Sequence, residues 1–134
     1  MAEDTAWWPI KADSDIVATR QHGRQLAEQL GLSNSDQVLI ATAISEIARN
    51  IVQYAGQGQV SCRVVTQGRR RGLVIVARDE GPGIADVAQA MEDGYTTGKG
   101  LGMGLPGSRR LMDEFDVVSA AGKGTTVTMT KWAP

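Results

Sequence analysis

"LIATAISEIARNIVQYAG", residues 39–56, carries two patterns on one segment. Ile40, Ala41, Ile44, Ile47, Ala48 and Ile51 recur at helical spacing and make one apolar stripe. Such a stripe is expected to face a sheet. Glu46 and Asn50 are four apart, so they share a face, and that face points away from the stripe. A carboxylate beside a carboxamide can hold Mg²⁺ through oxygen and leave one group free as a base. The helix is expected to start at a Ser33 or Ser35 cap, run through about Tyr54 and end at Gly56.

Working outward, "WPIKA" can open as a short strand. Ser14 or Asp13 can cap a first helix running to about Gly31, with Ile16, Val17, Leu26, Ala27 and Leu30 as its apolar set. Downstream, residues 59–66 and 72–78 alternate as two strands, and "QGRRR" between them reads as a hairpin loop. "DVAQAME" can make one or two helical turns. "LPGSRRLMDEF" resumes a helical pattern with Leu105, Leu111, Met112 and Phe115 as its apolar members. Residues 116–132 give two more strands around the turn "AGKG". The order β-α-α-β-β-α-β-β implies an α+β sandwich, one mostly antiparallel sheet with helices on one face.

The chain of 134 residues is sized for one domain, taken as 1–134, and its 42% hydrophobic content suffices for a core. Fourteen basic against fifteen acidic residues imply neither a nucleic-acid surface nor a membrane-binding patch. The "RRR" run at 69–71 reads as a solvated turn. Cys62 stands alone, which rules out an internal disulfide, and its strand setting suggests an inert buried thiol. No secretory leader is visible, and no stretch of about 18 apolar residues occurs, so a cytoplasmic setting is expected. His22 reads as a surface or satisfied histidine. Trp7 and Trp8 read as either an exposed contact or a core plug.

Two glycine-rich stretches bear on ligand binding. "GKGLGMGL", residues 98–105, lacks the spacing of a P-loop, and Gly100 stands where the magnesium-binding hydroxyl belongs. It lacks dinucleotide-fingerprint spacing as well. It does precede a helix, however. Gly102 and Gly104 at that helix N-terminus could let phosphate oxygens approach unpaired N–H groups, with Lys99 adding mobile positive charge. "DEGPGI", residues 79–84, ends a strand on a carboxylate at a cleft floor. That carboxylate can accept a hydrogen bond from an exocyclic amine such as that of adenine.

Taken together, Glu46-x-x-x-Asn50, Asp79-x-Gly81-x-Gly83, the 98–105 loop and "GKGTT" at 122–126 resemble the four boxes of the GHKL ATPases, which share the Bergerat ATP-binding fold. Within that superfamily, "AISEIARNIVQYAG", "MEDGYTTGKGLGMGLPGSRRLMDEF" and the terminal "KW" are similar to the RsbT-like serine/threonine switch kinases of the bacterial stressosome, near relatives of the anti-sigma-factor kinases. The resemblance implies ATP and Mg²⁺ as cofactors, with Asn50 as the metal ligand. It implies that Asp79 accepts from the adenine amine and that Gly81, Gly83 and Ile84 shape the base pocket. Gly100, Leu101, Gly102, Gly104 and Leu105 would wrap the phosphates, and Thr125 would close the adenine side through its hydroxyl or a water. Glu46 matches the general base, and Arg49 would offset phosphate charge. The short segment between Ile84 and Gly98 implies a small lid that leaves the γ-phosphate open to a protein acceptor.

The acceptors implied are serine or threonine on STAS-domain proteins, with a PP2C-type phosphatase as the partner activated in turn. Two other readings stand beside this one. The first is an anti-sigma factor that sequesters a sigma subunit and phosphorylates its antagonist. The second, a histidine-kinase catalytic domain cut from its sensor, is disfavoured by the lack of a phospho-accepting helix hairpin.

Overall fold

The architecture is taken from a computed structural model, which describes residues 7–81, 104–119 and 122–133. In chain order these give β1 (Trp7–Ile10), α1 (Asp13–Gln29), α2 (Asn34–Asn50), a π-helical turn (Ile51–Ala55), β2 (Gly58–Gln67), β3 (Arg70–Asp79), α3 (Gly104–Leu111), β4 (Glu114–Ser119) and β5 (Thr125–Trp132). The strands form one sheet in the order β1-β2-β3-β5-β4, with every neighbouring pair antiparallel. "DVAQAME" lies outside the described residues. Among the described residues the α+β expectation holds, and no helix is long and apolar enough to cross a membrane.

Strand pleating divides the sheet into two unlike faces. Ile10, Val60, Cys62, Leu73, Ile75, Ala77, Val127 and Met129 point to one face and are buried there with the α2 stripe of Ile40, Ile44, Ile47, Ala48 and Ile51. Leu111 and Met112, at the end of α3, join the same cluster. Each fully buried isoleucine or leucine in it is worth roughly 1.5–3 kcal/mol relative to exposure. Cys62 is part of this core, and desolvation pushes its thiol pKa up to about 12. The stripe read from residues 40–51 therefore faces the sheet as its spacing implies.

Several local readings are corrected. Neither Ser14 nor Asp13 caps α1. The cap position is Ala12, and Asp15 reaches back to accept from the Lys11 and Ala12 N–H groups at 2.9 and 3.1 Å. Val17 is 40% exposed and lies off the buried line of Ile16, Thr19, Gly23 and Ala27. In α2 it is Ser33 that caps, its Oγ accepting from Asp36 N–H at 3.1 Å. The α-helix ends at Asn50 and continues as the wider π turn before Gly56. The "QGRRR" loop shrinks to Gly68-Arg69, because Gln67, Arg70 and Arg71 are already paired in strands. Gly68 supplies the positive φ that so short a hairpin needs. Phe115 belongs to β4 rather than to the helix before it. After Leu111, Asp113 N–H donates to Thr130 C=O, and sheet pairing takes over from the helix.

The tryptophan pair splits between the faces. Trp8 stacks against His22 of α1 on the helix side, with ring centroids 4.7 Å apart. Trp7 lies on the opposite face beneath the Arg78 guanidinium, 4.4 Å from the ring centre.

Candidate functional site

The end of α2 and the ends of β3 and β5 meet at one edge of the helix-bearing face. Asp79 is the last residue of β3 and pairs with both Gly58 and Thr125. By pleat parity with Ala77 and Ile75 its side chain points to the helix side. One carboxylate oxygen, Oδ1, accepts the Gly81 N–H at 2.8 Å. This two-residue loop-back fixes the carboxyl plane and leaves Oδ2 as the oxygen available to a ligand amine.

Thr125 stands beside Asp79 on β5. Its hydroxyl lies 2.8 Å from Ser119 Oγ, while Ser119 donates to the Gly124 carbonyl at 2.9 Å. A hydroxyl has one proton. With the Ser119 proton directed at Gly124, the Thr125 hydroxyl can donate to Ser119 and offer its lone pairs to a ligand or a water. The pocket edge thus presents two acceptors, Asp79 Oδ2 and Thr125 Oγ1, which is the polarity an exocyclic amine requires.

Glu46 and Asn50 approach from α2. Glu46 is largely shielded, with a side chain 12% exposed, and its Oε2 accepts from Arg49 Nη1 at 2.7 Å. Among the described residues Oε1 has no partner. Arg49 is therefore engaged with the carboxylate, an arrangement that the expected role at phosphate did not anticipate. Asn50 is the last α-helical residue, half-buried where the π turn begins. π-type turns are rare and recur at functional sites.

Gly104 and Leu105 are the first residues of α3. Gly83, Ile84, Lys99, Gly100, Leu101 and Gly102 lie outside the described residues. Glu46, Asn50, Asp79, Gly81 and Thr125 are thus carried by elements that converge. A shallow polar cleft of about 360 Å³ also opens beside Asp79, lined by Ala55, Gln57, Gln59, Arg78, Asp79 and Glu80. Gln59 and Arg78 belong to the helix-free face, while Ala55 and Asp79 tie the cleft to the π turn after α2, so it rounds the sheet end. Ser119, which contacts both the Gly124 carbonyl and the Thr125 hydroxyl, is not singled out by the sequence, whereas Gly124 lies within the "GKGTT" stretch. The turn "AGKG" marked the position, and only strand pairing reveals the contacts.

Comparison with known proteins agrees with this fold. Residues 10–131 match the histidine kinase-like ATPase domain family. The chain is 53% identical to the serine/threonine-protein kinase RsbT of Bacillus subtilis (strain 168), covering 92% of both chains. It is 34% identical to the anti-sigma F factor of Thermoanaerobacter sp. (strain X514), over 69% of this chain and 68% of that one. Among solved structures, the RsbU and RsbW domains of a Mycobacterium tuberculosis protein superpose with a TM-score of 0.63 at 20% identity, over 98% of this chain and 34% of theirs, which is a likeness of fold. The chain belongs to the histidine kinase-like ATPase family, on the branch that holds serine/threonine kinases and anti-sigma factors.

Proposed function

We propose that this chain is an ATP-dependent serine/threonine kinase whose acceptors are STAS-domain proteins. The observation that carries the reading is the close approach of the β3 end, with Asp79 and Gly81, to the π turn that continues the helix carrying the shielded carboxylate Glu46. ATP would seat its adenine amine against Asp79 Oδ2, with Gly81 and Thr125 flanking the base. Its phosphates would run toward Asn50 and the start of α3, whose first N–H groups favour anions. Lys99, Gly100, Leu101, Gly102, Gly104 and Leu105 are assigned to wrapping those phosphates, and Gly83 and Ile84 to the base pocket.

The acceptor hydroxyl would approach Glu46. Oε1 takes its proton, the serine or threonine oxygen forms a bond to the γ-phosphorus, and the bond from that phosphorus to the β,γ-bridging oxygen breaks to release ADP. Arg49 holds the other carboxylate oxygen and so orients the base. Phosphoryl transfer asks mainly for such positioning and for charge stabilisation. Magnesium typically takes few protein ligands and completes its shell with water and phosphate. One half-buried amide oxygen, that of Asn50, fits a metal arriving with the nucleotide, and the ion would supply charge to offset the γ-phosphate.

The resemblance to stressosome switch kinases further supports a cytoplasmic partner-switching role, with a PP2C-type phosphatase bound once the acceptors are phosphorylated. A second reading, sequestration of a sigma subunit, is favoured by the matches to anti-sigma F factors. The deciding experiment incubates the purified chain with γ-labelled ATP, a STAS-domain protein and Mg²⁺. Label on serine or threonine that disappears with Glu46→Ala is expected. Full labelling by that variant would remove Glu46 as the base, and no labelling by the wild type would remove the kinase reading. Co-purification with a sigma subunit, and not with a phosphatase, would shift the assignment to the second reading.

A further inference from the structure

The terminal "KW", Lys131 and Trp132, has no part in the site described above. Strand pleating sends its two side chains to opposite faces. Trp132 turns to the helix-free face, where it lies over Gly72 with the Arg70 guanidinium 4.0 Å above its ring, and its Nε1 donates to Glu114 Oε2 at 2.7 Å. Lys131 stands two residues beyond the buried Met129 and opposite the buried Leu73, so it points to the helix side. Its side chain is 14% exposed. An ammonium so far removed from water needs partners.

Those partners come from the ends of two helices. Nζ donates to the carbonyl of Leu111, the last residue of α3, at 3.4 Å. It also lies 3.5 Å from Asp113 Oδ1, just past that helix, and 3.9 Å from Asp36 Oδ1, in the first turn of α2. The free carbonyls at a helix C-terminus favour a cation, and the free N–H groups at an N-terminus favour a carboxylate. Asp113 is itself held from both sides. Its Oδ2 accepts the Trp132 N–H at 2.7 Å, and its own N–H donates to the Thr130 carbonyl at 2.9 Å. Lys131 thus ties the C-terminal end of α3 to the N-terminal end of α2. The opposite end of α2 carries Glu46 and Asn50, and the opposite end of α3 is the one assigned to the phosphates.

We propose that Lys131 is a positioning residue for phosphoryl transfer, clamping α3 against α2 so that the N–H groups at the start of α3 keep their place relative to Glu46. This role rests on the kinase reading above. Lys131 lies at the opposite end of β5 from Thr125, roughly 20 Å along the strand, so it acts only through the helices it joins. The eight residues of α3 span about 12 Å. Once the Leu111 end is released, a tilt of about 10° moves the Gly104 end by about 2 Å. Misplacing a reacting group by about 1 Å costs on the order of a hundredfold in rate. The adenine side, at Asp79 and Thr125, is carried by paired strands and does not depend on the clamp.

The test measures single-turnover transfer from γ-labelled ATP to a STAS-domain protein at saturating Mg²⁺-ATP, with adenosine affinity by calorimetry and Tm by circular dichroism. Lys131→Met keeps the apolar stem and removes the ammonium, and the two carboxylates left behind keep access to water, with side chains 30% and 41% exposed. It is expected to lower transfer at least about tenfold while adenosine binds as in the wild type. Trp132→Leu loosens the same strand end without touching α3, and is expected to lower Tm but leave transfer within about twofold. Asp36→Asn is expected to lower transfer about threefold, and to lower it no further when added to Lys131→Met. Wild-type transfer in Lys131→Met would overturn the proposal and leave the kinase reading standing. No transfer by the wild-type chain would remove the kinase reading and this role with it. Equal losses in Lys131→Met and Trp132→Leu would reduce the effect to lost stability, and additive losses from Asp36→Asn and Lys131→Met would remove the clamp. If Lys131→Met does not fold, Asp36→Asn decides alone, and undiminished transfer in it overturns the proposal.

Discussion

Replacing Asp79 by asparagine separates its structural role from the ligand role proposed for it. In the wild type, Oδ1 accepts the Gly81 N–H at 2.8 Å. Asparagine can keep that bond through its own carbonyl oxygen, so the turn after β3 should survive. Keeping it forces the amide nitrogen into the position of Oδ2, where a donor then faces the adenine amine, also a donor. The lost charge-assisted hydrogen bond is worth about 1.5–3 kcal/mol, and the two donors left unpaired add about 1–2 kcal/mol. The sum corresponds to a rise in the ATP dissociation constant of about a hundredfold to several thousandfold. Titration calorimetry with magnesium-ATP measures this directly, with circular dichroism and a melting curve to show a native fold. Guanine presents a carbonyl oxygen where adenine presents its amine. The same variant should therefore shift preference from ATP toward GTP by at least about tenfold. Wild-type ATP affinity in a natively folded Asp79→Asn protein would refute the assignment of this carboxylate to the base.

Other consequences follow from single contacts. Ser33→Ala removes the α2 cap and should destabilise the fold by about 1 kcal/mol, lowering Tm by roughly 3–5 °C, and a melting curve checks it. Burial raises the Cys62 pKa to about 12, so Ellman's reagent should react at least about tenfold more slowly with native protein than with the chain unfolded in guanidinium. Burial against Trp8 lowers the His22 pKa. The unfolded chain then binds the proton more readily, so this contribution to stability is intact above about pH 6.5 and is lost as pH falls through the lower folded value. The decline in Tm between about pH 7 and 5 should be shallower in His22→Gln than in the wild type.

How much of this was legible beforehand depended on whether the signal was local. The stripe of Ile40, Ile44, Ile47 and Ile51 encodes its own face, because helical periodicity needs no knowledge of the partner, and the structure buries all four. The strands around residues 59–78 were equally plain from alternation, yet the hairpin was read too long. Three arginines look like a loop, but Arg70 gains both a ladder position and the Trp132 ring, so tertiary contact outweighs local polarity. Phe115 shows the same failure in reverse. It fits the helical spacing of Leu111, and only pairing with Met129 decides that the residue is in a strand. Ser119 was invisible for a similar reason, since its link to Thr125 exists only once β4 and β5 are in register.

The site also depends on how its pieces are brought together, and two glycines decide this. A Cβ at Gly81 would stand 2.6 Å from the Ala55 Cβ, and one at Gly124 would run into the Asp79 carbonyl. Neither clash involves a flexible side-chain tip, so neither can be relieved without moving backbone. Gly81 lets the chain after β3 touch the π turn that follows Asn50, and Gly124 lets the β4–β5 turn touch the end of β3. The sequence reading assigned Gly81 to making room for a flat base. The structure gives it a further part, setting the distance between the α2 end that carries Glu46 and Asn50 and the strand end that carries Asp79. Gly81→Ala should therefore disturb both halves of the site at once. Overpacking of this kind costs about 1–3 kcal/mol, and the separation it forces would lower ATP affinity and phosphoryl transfer together. A role confined to the base pocket predicts weaker ATP binding with turnover at saturating ATP unchanged, so single-turnover transfer at saturating ATP distinguishes the two. Undiminished transfer in Gly81→Ala would show that the spacing of the two halves is not set there.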